Sequence, residues 1–139
     1  MSKKILITGG AGFIAHHLVE KILKTTDWEI VTLDRLDFSG NLNRLNEIVS
    51  ILPSIEQKRV KVVHHDLKAA LNNEIESTIG KVDFIAHLAA GSHVDRSIDY
   101  PLEFVLDNVV GTANILDYAR KLDQLERFAY FSTDEVFGP

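Results

Sequence analysis

The chain predicts an α/β fold built on a doubly wound parallel sheet. Five short apolar runs alternate with segments of helical periodicity, no hairpin turn joins two neighbouring runs, and a glycine-rich turn separates the first run from the first helix. Strands joined only through helices form βαβ units with right-handed crossovers, and such units build a parallel sheet covered on both faces. At 139 residues the length suits one domain with a single core.

Ile5-Leu6-Ile7 gives the first strand. After the glycines, Ile14, Leu18 and Ile22, with Val19 and Leu23 beside them, recur at helical spacing. Glu29 to Asp34 is the second strand, and Leu42, Leu45, Ile48, Val49 and Leu52 mark a helix that Pro53 stops. Val60 to His64 is the third strand. Leu67, Leu71, Ile75 and Ile79, four residues apart, predict one helix ended by Gly80. The nearly continuous apolar run from Val82 to Ala90 is a strand covered on both sides, followed by a polar loop. Pro101 opens a long helix whose apolar side carries Phe104, Val109, Ala113 and Leu116, and Arg127 to Ser132 is the fifth strand.

Composition narrows the function. With 45% hydrophobic and 25% charged residues the chain reads as an ordinary soluble protein, and no run approaches the roughly 18 apolar residues of a membrane helix. Met1-Ser2-Lys3-Lys4 precedes an apolar stretch too short for a secretory signal, and the absence of cysteine suits a reducing, cytoplasmic setting. A net charge of -5 argues against nucleic acid, so a bound phosphate must be held by local geometry. His16-His17 and His64-His65 do not suggest a metal, because adjacent side chains on a helix or strand point apart.

Gly10-Ala11-Gly12-Phe13-Ile14-Ala15 fits G-x-G-x-x-G/A, and with Gly9 it also fits Thr-Gly-x-x-Gly-x-x-Gly with alanine last. A strand precedes it, a helix follows, and Asp34 ends the next strand 22 residues beyond Gly12. These conditions predict a dinucleotide site, with the pyrophosphate on the amides at the helix start and Asp34 accepting from the adenosine ribose. Asp34 would repel a 2'-phosphate and so favours NAD over NADP. Arg35 works the other way, since a guanidinium there can receive a phosphate. The alternative is a glycine turn that serves only the strand-to-helix geometry.

Ser132-Thr133-Asp134-Glu135 follows the fifth strand, at the same end of the sheet as the glycines. Its two carboxylates and its hydroxyl can act as acid, base and hydrogen-bond donor if a dry pocket splits the carboxyl pKa values. The alternative is a cap for a following helix. His93, Asp95 and Arg96 more simply order a pocket wall, and Asn108 is a candidate to hold backbone or water.

These segments resemble the extended short-chain dehydrogenase/reductase superfamily, and within it the nucleotide-sugar 4,6-dehydratases of the dTDP-glucose type. The resemblance rests on Thr8 to Ile14, Leu33-Asp34-Arg35-Leu36, Ser39-Gly40-Asn41-Leu42, His87-Leu88-Ala89-Ala90, Ser92-His93-Val94-Asp95-Arg96-Ser97-Ile98, Asn108 to Thr112 and Ser132 to Gly138. It implies a Rossmann domain over 1–139. It places Phe13 and Ile14 along the pyrophosphate and Asp34, Arg35, Leu36 and Asp37 around the adenosine ribose, with Gly9, Gly12, Ser39 and Gly40 also counted as cofactor-binding. Asp66 and Leu67 flank the adenine, and Leu88, Ala89, Ala90 and Ser92 run under the cofactor toward the substrate. Gly91, Asp107 and Phe137 depart from the family pattern, in which a glutamate, a small hydroxyl residue and a tyrosine are usual.

The implied reaction is an NAD-dependent dehydration of a nucleotide-activated hexose: oxidation at C4, loss of water across C5 and C6, and return of the hydride at C6. Glu135 is then the base, Asp134 the acid, and Thr133, with Ser92, the contact to substrate. The superfamily's oxidation also needs Tyr-x-x-x-Lys. Tyr100, Tyr118 and Tyr130 have no lysine at that spacing. The expectation is therefore an amino-terminal portion, lacking the last strands and the substrate lobe, that binds cofactor without turnover and exposes an apolar edge. A sugar epimerase or decarboxylase of the same superfamily, and a noncatalytic dinucleotide-binding module, are the other readings. The resemblance also makes the fourth long helix a candidate homodimer contact.

Overall fold

The computed structural model describes residues 2–138. Five strands, β1 (Lys4–Thr8), β2 (Glu29–Asp34), β3 (Val60–His64), β4 (Phe84–His87) and β5 (Arg127–Tyr130), form one sheet in the order β3-β2-β1-β4-β5. Every pairing is parallel, with Ile7 opposite both Thr32 and Ala86. The helices are α1 (Ala15–Thr25), α2 (Leu42–Ser50), α3 (Ser54–Gln57), α4 (Asn73–Ile79), α5 (Val94–Asp99), α6 (Pro101–Val105) and α7 (Gly111–Ala119). A π-helical turn over Leu106–Val110 joins α6 to α7.

Strand periodicity sorts the core into two layers. Ile5, Ile7, Ile30 and Ala86 pack against Val19 and Ile22 of α1 and Leu45 of α2, whereas Leu6, Val31, Leu33 and Ile85 pack against Ile79 of α4 and Ile115 and Tyr118 of α7. The chain runs outward from β1 to β3, then returns to β4 on the other side of β1. The order therefore reverses between β1 and β4. In open α/β sheets ligands bind in the crevice that such a reversal opens beyond the strands' carboxyl ends.

Three sequence expectations are corrected. The helix expected from Leu67 begins only at Asn73: Asn72 caps it by accepting from the Ile75 amide, and Asp66 folds its own segment into a turn by accepting from the Lys68 amide. Leu67 and Leu71 still reach the core, but from a loop. The polar loop after β4 contains α5. On the long helix the buried residues are Gly111, Ile115, Tyr118 and Ala119, while Val109 and Leu116 are 62% and 47% exposed and Ala113 is exposed too. The π turn rotates the residues beyond it relative to a plain α-helix, which the spacing argument assumes.

β5 is one of the two outer strands and ends at Tyr130, shorter than expected, although the Phe131 amide still donates to the His87 carbonyl. Tyr130 and Phe131 are about half exposed, as expected of an apolar edge. No helix among the described residues is long and apolar enough to cross a membrane.

Candidate dinucleotide site

A cleft of about 1120 Å³ opens at the carboxyl ends of β1 and β4 and extends to the residues after β2, β3 and β5. Its floor is the glycine turn. Gly9 has φ +70°, and a Cβ there would lie 3.0 Å from the Ala89 backbone, so the turn needs glycine for both its conformation and its contact with the end of β4. No side chain caps α1, and among the described residues the Phe13 and Ile14 amides have no protein acceptor. Phe13 and Ile14 are 73% and 67% exposed. Free amides at an uncapped helix start fit a pyrophosphate. Ile14 therefore faces the cleft instead of the core, while Ala15 is buried and its methyl is accommodated.

Asp34 is buried, and both its oxygens are held: Oδ2 accepts from the Ala11 amide at 3.0 Å and Oδ1 from the Leu36 amide at 2.8 Å. Each oxygen keeps a lone pair for a ribose hydroxyl. Gly40 packs against this carboxylate so closely that a Cβ would collide with Oδ1. Leu36 takes a left-handed φ of 55° and packs toward the α1–α2 side of the core. It is the one residue assigned to the cofactor that does not line the cleft.

Arg35 is not a free guanidinium. Its Nε lies 2.6 Å from Asp37 and its Nη1 2.6 Å from Asp107. Burial opposes its charge, but the bonds and charges of Asp107 and then Asp37 hold its pKa above the ordinary arginine value. Asp37 also accepts from the Ser39 amide and hydroxyl, and these bonds, with Arg35, outweigh burial and keep its carboxyl below the usual range. Asp66 and Leu67 line the next wall, with Lys68 bridging toward Asp66 and Asp107 at 3.6 and 3.7 Å.

The segment after β4 is set from behind. The Thr112 hydroxyl donates to the Asn108 carbonyl at 2.6 Å, so it accepts from Nε2 of His87 at 3.0 Å. That leaves Nδ1 of His87 as an acceptor for the Thr8 hydroxyl at 2.6 Å. Thr8 Oγ1 in turn accepts from the Leu88 and Ala89 amides. Every proton in this chain has one place, which fixes the tautomer of His87. Burial pushes the His87 pKa down to about 4 and keeps the ring neutral. Asn108, within the π turn, closes a two-point clamp on Gly91, accepting from its amide at 2.7 Å and donating to its carbonyl at 3.0 Å. Leu88, Ala89, Ala90 and Ser92 line the cleft on this side.

Thr133, Asp134 and Glu135 line the far side, in a 3₁₀ turn over Asp134–Phe137. Thr133 caps that turn by accepting from the Glu135 amide at 3.3 Å, so the capping alternative and the placement on the cleft hold together. All three are exposed, and the dry pocket expected for the carboxylates does not exist among the described residues. No cluster of three metal-ligating side chains occurs among those residues. The His16 and His17 rings do not point apart as expected but lie 3.9 Å from each other, beside Phe13.

The motifs did not single out Arg44 or Lys68. Arg44 donates to the Ala11 and Ser39 carbonyls and lies over the Phe13 ring, 6.0 Å from its centre. A cation in the first turn of α2, after Ser39-Gly40-Asn41, was the available signal.

Comparison with known proteins agrees with this geometry. The chain is 41% identical over 145 residues to dTDP-glucose 4,6-dehydratase of Salmonella typhimurium, covering 97% of this chain and 38% of that protein. It is also 41% identical over 138 residues to a trifunctional UDP-glucose 4,6-dehydratase, 3,5-epimerase and reductase of Arabidopsis thaliana, covering 98% of this chain and 20% of that protein. Among solved structures, dTDP-glucose 4,6-dehydratase of Streptomyces venezuelae with NAD bound superposes with a TM-score of 0.83 at 37% identity, covering 97% of this chain and 41% of that one. The UDP-Glc/GlcNAc 4-epimerase of Campylobacter jejuni also reaches 0.83, at 29% identity, covering 99% and 39%. The chain thus spans about two fifths of these relatives or less. The family model described as GDP-mannose 4,6 dehydratase matches residues 6–139, and the chain belongs to that family.

Proposed function

We propose that the chain is the dinucleotide-binding portion of an NAD-dependent nucleotide-sugar 4,6-dehydratase, a lyase of the dTDP-glucose type. The observation that carries the reading is the single cleft whose walls bear both the uncapped start of α1 with Asp34 and the Thr133-Asp134-Glu135 turn.

NAD, when bound, supplies the reversible oxidation at the sugar carbon. The protein's part is positioning and proton movement. Asp34 holds the ribose, and the Phe13 and Ile14 amides meet the pyrophosphate. His87 and Asn108 fix the backbone from Leu88 to Gly91 beneath it. Thr133 donates to the C4 oxygen, Glu135 takes the C5 proton that the C4 ketone acidifies, and Asp134 protonates the departing C6 hydroxyl. Positioned acids and bases of this kind contribute roughly 10²–10⁴-fold each.

No tyrosine is followed four residues later by lysine, so the chain by itself binds cofactor without turnover. An epimerase of the same superfamily is the second reading, favoured by the equal superposition on the Campylobacter enzyme. The exposed apolar face of α6 and the π turn, with Leu102 and Val109, supports a homodimer. Calorimetry with oxidised NAD tests the central reading: saturable binding is expected, and a flat titration of folded protein overturns it.

A further inference from the structure

We propose that Asp107 sets cofactor selectivity, by holding the Arg35 guanidinium in a carboxylate pair so that Arg35 does not serve a 2'-phosphate beside Asp34. The inference rests on the dinucleotide reading above and adds a determinant outside the β2 end.

Arg35 follows Asp34 directly and lines the same cleft. An arginine near the ribose is the usual means of accommodating a 2'-phosphate, because its planar fork matches phosphate oxygens. Here two of its three nitrogens already carry carboxylates. Nε is held by Asp37 and Nη1 by Asp107, both at 2.6 Å, and the Asp107 side chain keeps only 12% of its surface exposed. A phosphate approaching the remaining Nη2 would meet a guanidinium whose charge two carboxylates already offset, and would sit among the charges of Asp34, Asp37 and Asp107.

Gly91 lies beside both Asp107 and Phe104. A Cβ at that position would lie 3.5 Å from Oδ2 of Asp107 and 3.0 Å from the Phe104 ring. Asn108, next in the π turn, ties the same glycine down through both its backbone groups. Asp107 is thereby fixed relative to the floor of the cleft, and through Arg35 to the end of β2.

The test is equilibrium binding of oxidised NAD and NADP to the full chain, to Asp107→Ser and to the double variant Arg35→Ala/Asp107→Ser. The expected result is that Asp107→Ser shifts the affinity ratio toward NADP by about tenfold, comparable to one hydrogen bond to a charged group, and that the double variant loses this shift. The double variant also separates Arg35 from Lys68, whose Nζ lies 3.7 Å from the same carboxylate. An unchanged ratio in Asp107→Ser with NAD binding intact overturns the inference and leaves the cofactor reading standing. A shift that persists without Arg35 also overturns it. A parent chain that binds neither dinucleotide overturns both. Asp107→Asn, which keeps the side-chain shape, must shift the ratio in the same direction.

Discussion

The Thr8 hydroxyl reaches Nδ1 of His87 at 2.6 Å, joining the ends of β1 and β4 beneath the cleft. This contact requires a neutral imidazole that accepts, so it makes the fold sensitive to acid. His87 has its pKa lowered to about 4 by burial, against an ordinary 6.5. Below 6.5 the unfolded chain therefore binds a proton that the folded chain refuses. The stability contributed is complete above about 6.5 and is lost as the pH falls toward 4, by roughly 3 kcal/mol in all. Denaturant titrations across that window should show a slope near one proton, and His87→Gln should remove it.

Asn108→Ala should loosen the segment after β4 that lines the cleft. The Gly91 amide and carbonyl lose their partners, at a cost of about 1–3 kcal/mol. Hydrogen exchange at Gly91 should accelerate, and NAD affinity should fall about tenfold by calorimetry.

Gly9→Ala should be more damaging than its size suggests. The new methyl would meet the Ala89 backbone at 3.0 Å, in a conformation with φ +70° that alanine disfavours. A loss of roughly 1–3 kcal/mol in stability, measured by thermal or denaturant unfolding, should accompany loss of dinucleotide binding.

Tyr118 should resist ionisation. Burial, with the charge of Glu76, pushes its pKa up to about 12, and its hydroxyl donates to the Gly80 carbonyl at 2.8 Å. The folded phenol ionises later than the unfolded one, so its contribution to stability is intact below pH 10 and is lost as the pH rises toward 12. A tyrosinate absorbance titration should show one delayed tyrosine, absent in Tyr118→Phe.

Joining the chain to the carboxyl-terminal part of the Salmonella relative should test the carboxylate roles. The chimera should form a 4-keto-6-deoxy sugar, seen by NMR, and Glu135→Gln should lower kcat by about 10²–10⁴-fold. An epimerised product would favour the second reading.

The legible part of this molecule was the part governed by local rules. The glycine turn and Asp34 announce themselves because a close backbone approach and a carboxylate that accepts from two backbone amides each demand particular residue types. The inner strands β1, β2 and β4 were equally plain, since burial on both faces leaves apolar runs, whereas the outer β3 and β5 are largely exposed. Leu67, Leu71, Ile75 and Ile79 misled because a loop can deliver leucines to a core at the same spacing as a helix. Arg35 misled for a different reason: its partner Asp107 lies 72 residues away, and no local pattern records that pairing.

The π turn at Leu106–Val110 works as a phase adjuster. Each helical residue advances the direction of its neighbours by about 100°, and the wider winding there lets Asp107 and Asn108 line the cleft while Ile115 and Tyr118 still meet the sheet. Removing a single residue from that stretch would swing one set out of alignment with the other, so tolerance to deletions should be lowest at a place where the helix seems, from its letters, to be uniform.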